Sequence, residues 1–490
     1  MTALAMALER RGAFFSNPES EVQKFVIVRI LFGLLLIRRS SNLLLWRFPE
    51  DVADPLMSGA MWAGLTAAVL VTVGLLTQAA LVYFILVDWQ IGERYLQTST
   101  LGNDVAAMLA LLLILSNAGA HLSVDRLLLR RRSVAASLLT AVYYEDGMPS
   151  KNALILAKFG GVLSFGLVCL YSLAQHLNEP AWMTGTAGPL LLTNNFMSSV
   201  PRVFESFFER GPWAVLLGRI SLWLMIPWFA FFIPCVILGG WFRRYAIAWG
   251  LLFFLMSLTV LQLGSLAEFE LLFFAALFWP TASTPSTERS ETALLDDAIV
   301  PVFSHLALLA LIYVVMLPAP FLGWNGPLGA ERFKTLNRTV RRIPHIYGIA
   351  PINVFNESDL RLAENWFTLS RVSRGGGEEL LPILDTDGSR LAMHASDRVY
   401  FGHTARFRRR RVGLDGCGYE RERRWVNRFI DFDAATETAS FVYRQYHQPL
   451  VSADEILAGR FDQPPVELVC ELTLSREDLE KRRRKRGPSR

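Results

Sequence analysis

The chain has 490 residues, 52% of them hydrophobic and 19% charged, with a mean hydropathy of +0.31. A soluble domain carries about 25% charge, so this balance argues against a single soluble fold and points to lipid. The net charge of +5 and pI near 9.1 do not indicate nucleic acid, because the positive charge gathers at loops and tails, where it orients spans and meets anionic headgroups.

A polar tail, 1–20, leads into an apolar run at 25–46. That run is too long for a cleavable signal and has no small-residue cleavage site, so it is expected to remain as an anchor. Further apolar runs follow at 59–76, 79–92, 105–117, 153–176, 213–241, 245–263, 265–279 and 298–321. Crossing a hydrocarbon layer of ~30 Å takes about 20 apolar residues. The runs at 79–92, 105–117 and 265–279 are short enough for one of them to be re-entrant or tilted.

Arginine and lysine in short loops set the orientation. Arg126, Arg130-Arg131-Arg132 and Lys151 mark an inner loop, as do Arg243-Arg244, whereas Glu50-Asp51-Val52-Ala53-Asp54 is acidic and belongs outside. About nine spans with the N-terminus inside satisfy all three. They place the connection 178–212 and the C-terminal domain outside. Arg332, Lys334, Arg338 and Arg341-Arg342 pull the other way, but long domains follow the charge rule poorly.

The tail contains strand-like stretches at 366–369, 398–401 and 466–472 and a helical one at 420–432. Gly375-Gly376-Gly377 and Asp385-Thr386-Asp387-Gly388 supply turns. The latter lacks the remaining ligands of a calcium loop. The expected architecture is an all-α polytopic membrane helical bundle filling 21–322, then a small β-rich extramembrane domain at 323–475. A basic tail at 476–490 is too charged to pack.

Ionisable groups inside spans cost several kcal/mol unless they meet a partner or water, so each is a candidate. Arg29, Arg38 and Arg39 lie in the first run, Arg219 in the sixth, Glu268 and Glu270 in the eighth, and His176 at the outer end of the fifth. Asp104, Glu93 and Arg94 cluster near the outer face, where they are expected to pair with Arg38 or Arg39. Asp104, Glu93 and His176 are the candidates for acid or base chemistry; ion pairs that staple helices are the competing reading. Lys158 sits about a turn inside the inner end of the fifth run, where snorkelling accounts for it. Dense aromatic residues at the predicted interfaces read as belt anchors. The same rings suit a quinone or lipid, and no other cofactor is indicated.

Cys169 and Cys235 lie in apolar runs and Cys417 and Cys470 in the tail, without a CxxC pair. His394, His403 and His447 stand isolated, so no metal site is expected. A Cys417–Cys470 disulfide requires the tail to be outside.

Val28-Arg29-Ile30-Leu31-Phe32-Gly33 resembles the opening of the HTTM domain, the membrane unit shared by vitamin K-dependent gamma-carboxylases and many bacterial proteins. Gly102-Asn103-Asp104, then His121-Leu122-Ser123-Val124-Asp125, are similar to the family's next elements. Pro180-Ala181-Trp182-Met183-Thr184-Gly185-Thr186-Ala187 resembles its tryptophan–glycine segment. The motif residues are Gly33, Asp125, Trp182 and Gly185, and their order over 21–279 carries the resemblance.

In the carboxylase branch a lysine beyond that segment acts as base on the reduced vitamin. A lysine suits because burial lowers its pKa, but none occurs here between Lys158 and Lys334, and arginine stays protonated. The resemblance therefore implies a multi-pass protein of a bacterial cytoplasmic membrane without carboxylase activity, acting in maturation, export or binding of a secreted peptide or membrane partner. A membrane enzyme acting on a quinone or lipid is the alternative. A transporter, motivated by Glu268, Glu270 and Arg219, lacks the usual repeated halves.

Overall fold

The computed structural model describes residues 18–45, 54–88, 101–119, 121–130, 151–195, 197–208, 213–261, 266–279, 364–381, 384–388, 438–461 and 464–475. These residues are mostly helical, with a small antiparallel sheet late in the chain.

Helix α1 is Pro18–Leu45 and α2 is Pro55–Val73. The Asp54 carboxylate accepts the Leu56 and Met57 amides and caps α2, which has proline in its first turn. Helix α3, Thr77–Tyr83, continues into a π-helical turn, Phe84–Asp88. Helix α4 is Leu101–Leu115, α5 Val124–Arg130 and α6 Lys151–Asn178. Three short helices follow: α7 Pro180–Thr184, α8 Ala187–Thr193 and α9 Pro201–Phe208. Helices α10, Trp213–Leu238, α11, Gly240–Thr259, and α12, Leu266–Phe278, complete the set before the sheet. Eight of the nine apolar runs are thus helical where the sequence expects them, and the ninth, 298–321, lies outside the described residues.

Among the described residues, α2 and α10 are long and apolar enough to cross a membrane. Both present bare apolar side chains, including Trp62 and Val69 on α2 and Trp223, 70% exposed, on α10. Surfaces of this kind mark contact with lipid or protein. Pro227 and Pro234 interrupt α10, and Phe231 leaves helical geometry at φ −116°, ψ 15°. Proline removes a ladder donor and crowds the preceding turn, which accounts for the kink. Arg243 and Arg244, expected in a loop, fall in the first turns of α11, because the chain reverses on Gly239 and Gly240.

Phe165 of α6 is the hub of the main core. Its ring meets Phe232 at 5.1 Å, Phe274 at 5.2 Å, Phe254 and Phe273 at 5.9 Å and Trp228 at 6.1 Å, so α6, α10, α11 and α12 converge on one side chain. Helices α6 and α12 run antiparallel. Gly161 faces Leu277, Phe165 faces Phe273, and Cys169 faces Glu270.

The sheet consists of β1, Asn365–Ser373, β2, Glu378–Leu380, β3, Thr438–His447, and β4, Glu467–Ser475, in the order β2-β1-β3-β4, all antiparallel. β1 and β4 occupy expected positions. β3 was not foreseen, and the stretches at 398–401 and 420–432 lie outside the described residues. A short helix, α13, Ala453–Leu457, begins with a Ser452–Glu455 capping box.

A second core joins this sheet to the connection after α6. Leu190, Leu191 and Phe208 pack with Phe367, Tyr443 and Phe461, and the Phe208 and Phe461 rings lie 5.5 Å apart. Asn195 donates from Nδ2 to the Asp387 carbonyl at 3.1 Å.

Across the sheet, Arg444 on β3 binds Glu378 on β2 and, at 2.5 Å, Glu471 on β4. The hydrogen bond from Arg444 holds the Glu378 carboxyl below its ordinary range, with Ser370 helping. A depressed carboxylate contributes stability above its unfolded value, about pH 4.3, and loses it as pH falls through the folded one. The protection factors of the β2 amides are therefore expected to fall on acidification below that point, and Glu378→Gln to flatten the response. An unchanged acid limb in the variant would show that the network contributes nothing; screening at this exposed site keeps the effect small.

Candidate functional site

The residues singled out in the sequence gather at three places. The first is the turn between α2 and α3. Arg29 is 0% exposed, and its guanidinium donates to the carbonyls of Ala118 at 3.0 Å, His121 at 3.3 Å and Leu122 at 2.8 Å, closing the end of α4. Asp125 accepts the Leu76 amide at 2.8 Å and the Thr77 amide at 3.2 Å, while its own amide donates to the Gly74 carbonyl at 3.0 Å. Gly74 has φ +74°, and a Cβ there would stand 2.5 Å from Arg29 Nη1. The position demands glycine for both conformation and space. Gly33 serves a related purpose, since a Cβ would reach within 2.8 Å of the Thr72 backbone on α2. Arg29, Gly33 and Asp125 are thus joints of the helical bundle.

The second place is the C-terminal end of α6. Trp182, on α7, packs tilted against His176 at 4.3 Å between ring centroids, and Phe229 of α10 approaches the same imidazole at 5.4 Å. His176 is buried and bonds through Nδ1 to the Ser172 carbonyl at 2.5 Å. A carbonyl only accepts, so Nδ1 carries the proton, and Nε2 of the neutral ring is left as an acceptor. Gly185 ends α7 at φ +85°, close to α10: a Cβ on Gly218 would collide with the Gly185 carbonyl. Arg219 donates from Nε to the Thr184 carbonyl at 3.2 Å. His176 and Trp182, picked out separately in the sequence, are one aromatic assembly.

The third place is the bundle interior. Arg38 pairs with Glu268 of α12, through Nη1–Oε1 at 2.7 Å and a second contact. The sequence did not indicate Glu268 as a partner for Arg38; the pair arises because α12 packs directly on α1. The Arg39 guanidinium lies 6.0 Å from the Phe84 ring. Asp104 is half-buried in the first turn of α4, favourably placed for the helix dipole. Glu93 and Arg94 lie outside the described residues. Glu270 is only 5% exposed and no ion-pair partner reaches it among the described residues, although Cys169 lies within electrostatic range.

Lys158 does not snorkel. It is 3% exposed and pairs with Glu21 at 2.9 Å, and Glu21 also binds Lys24 at 2.6 Å. Glu21 went unremarked in the sequence; the signal was its spacing of three from Lys24 on one helix face, just ahead of the apolar run. Lys158 and His176 are 18 residues apart on α6, roughly 27 Å at the helical rise. The buried lysines thus stand at the opposite end from Trp182.

No group of three or more potential metal ligands occurs among the described residues. Cys470 is disulfide-bonded, and Cys417 lies outside the described residues. No family model, curated protein or solved structure matches the chain.

Proposed function

We propose that the chain is a multi-pass membrane protein on the HTTM plan, without carboxylase activity, whose outer connection and C-terminal sheet form one platform for a secreted peptide or membrane partner. The observation that carries this reading is the shared core of 190–214 with the sheet. The described part of the connection and the sheet thereby pack as a single body. The disulfide at Cys470 supports assigning that body to an oxidising compartment, outside a bacterial cytoplasmic membrane.

Reporter fusions in the 209–212 link and after residue 490 are expected to report the outer side, and a fusion in 131–150 the inner side. Opposite sides for the first two would refute the platform. Incubation of the purified protein with reduced vitamin K, bicarbonate and a glutamate-rich peptide is expected to give no carboxylated product.

A second reading, an enzyme acting on a hydroquinone or a lipid hydroxyl, rests on His176. Its Nε2 is an acceptor within an aromatic surround, suited to taking a hydroxyl proton. Purified protein carrying bound quinol that is lost in His176→Phe would favour this reading. Absence of quinol or lipid in both forms would eliminate it.

A further inference from the structure

We infer that α9 is an interfacial helix that lies on the outer leaflet and seats the C-terminal sheet on the membrane surface. The inference rests on the membrane reading above. Helix α9 carries one continuous apolar arc, because Val203, Phe204, Phe207 and Phe208 follow helical spacing while Arg202, Glu205 and Ser206 occupy the opposite face. Among the described residues, only half of this arc is packed against other elements. Phe208 is buried against Phe461, and Phe204 packs beside it in the second core. Val203 is 63% exposed and Phe207 48% exposed.

The exposed half does not stand alone. Five positions on in the chain, Trp213 opens the exposed apolar face of α10, which runs through Leu216 and Ile220 to Trp223. Tryptophan at this position suits the headgroup boundary. The height of α9 is also fixed. Ser199, at the approach to the helix, donates from its amide to the Val260 carbonyl at 2.8 Å and from Oγ to the Thr259 carbonyl at 2.9 Å. These carbonyls belong to the end of α11, so α9 sits at the level where α10 begins and α11 finishes. An amphipathic helix there buries its apolar side at the boundary between headgroups and acyl chains. The shared level with the start of the exposed apolar α10 selects lipid over a protein partner as the occupant.

The test uses the full chain in lipid nanodiscs, with nitroxide labels on Val203→Cys, Phe207→Cys, Ser206→Cys and Trp223→Cys and collision rates measured against oxygen and a water-soluble nickel chelate. Labels at 203 and 207 are expected to favour oxygen severalfold over nickel, as the reference at 223 does, whereas 206 favours nickel. Nickel access at 203 and 207 with 223 still in lipid overturns the inference and leaves the membrane reading intact. Shielding of 203 and 207 from both reagents also overturns it, by placing protein there. Nickel access at 223 as well sinks both readings.

Discussion

Arg29→Ala is expected to destabilise the protein by about 3 kcal/mol, because it removes a buried guanidinium, orphans the buried Ala118 carbonyl and leaves two part-buried carbonyls to water. The three acceptors, Ala118, His121 and Leu122, belong to the turn that closes α4, and no neighbouring side chain in that turn offers a comparable fork of donors. Lysine at this position restores the charge without the fork, so Arg29→Lys should recover only part of the loss. Asp125 pins the same junction from the other side, through the amides of Leu76 and Thr77. The two substitutions should therefore be non-additive by at least about 0.5 kcal/mol. Thermal and denaturant unfolding of the purified protein would check this. A loss below about 1 kcal/mol for Arg29→Ala would show that water replaces the guanidinium and that the junction is not a joint of the fold.

Phe165→Ala is expected to cost about 3 kcal/mol, the lower end for a buried phenylalanine. In lipid the unfolded reference already hides apolar surface, so the loss comes from packing rather than from transfer out of water. Five aromatic neighbours on α10, α11 and α12 lose their common partner at once. Phe165→Leu keeps much of the volume and should cost less than half as much. Equal losses for the alanine and leucine variants would mean that ring geometry, not filled space, sets the cost. The His176 contacts should survive either change, since the ring is held by Ser172 and Trp182 near the helix end.

Much of the architecture was legible in the amino-acid order. Eight apolar runs are helices because their length and composition leave the backbone few alternatives, and short-range signals such as Asp54 before proline and the Ser452–Glu455 box mark helix starts. The strands β1 and β4 were legible from their β-branched and aromatic content. β3 was not, because Thr438–His447 mixes polar and aromatic residues, and its place in the sheet depends on pairing with distant β1 and β4.

The partners of the charged residues were not legible. Hydropathy indicated that Arg29, Arg38, Lys158 and Glu270 needed an explanation, since charge is costly where apolar residues surround it. Which group answers which is a matter of long-range packing. Arg38 meets Glu268 across 230 positions of sequence, and Lys158 meets Glu21 across 137. The order of motifs around Gly33, Asp125, Trp182 and Gly185 pointed to shared ancestry with a catalytic family. Their geometry here assigns three of the four to close helix contacts and backbone caps.

The sequence by itself determined the mostly helical character of the chain and the absence of a lysine between Lys158 and Lys334, because composition, run length and residue identity are local properties. Tertiary structure alone decided that Trp182 packs on His176, that Glu270 is buried without an ion pair among the described residues, and that the connection after α6 shares a core with the sheet. Each of these depends on contacts between segments far apart in the chain, and periodicity within a segment carries no record of what will pack against it.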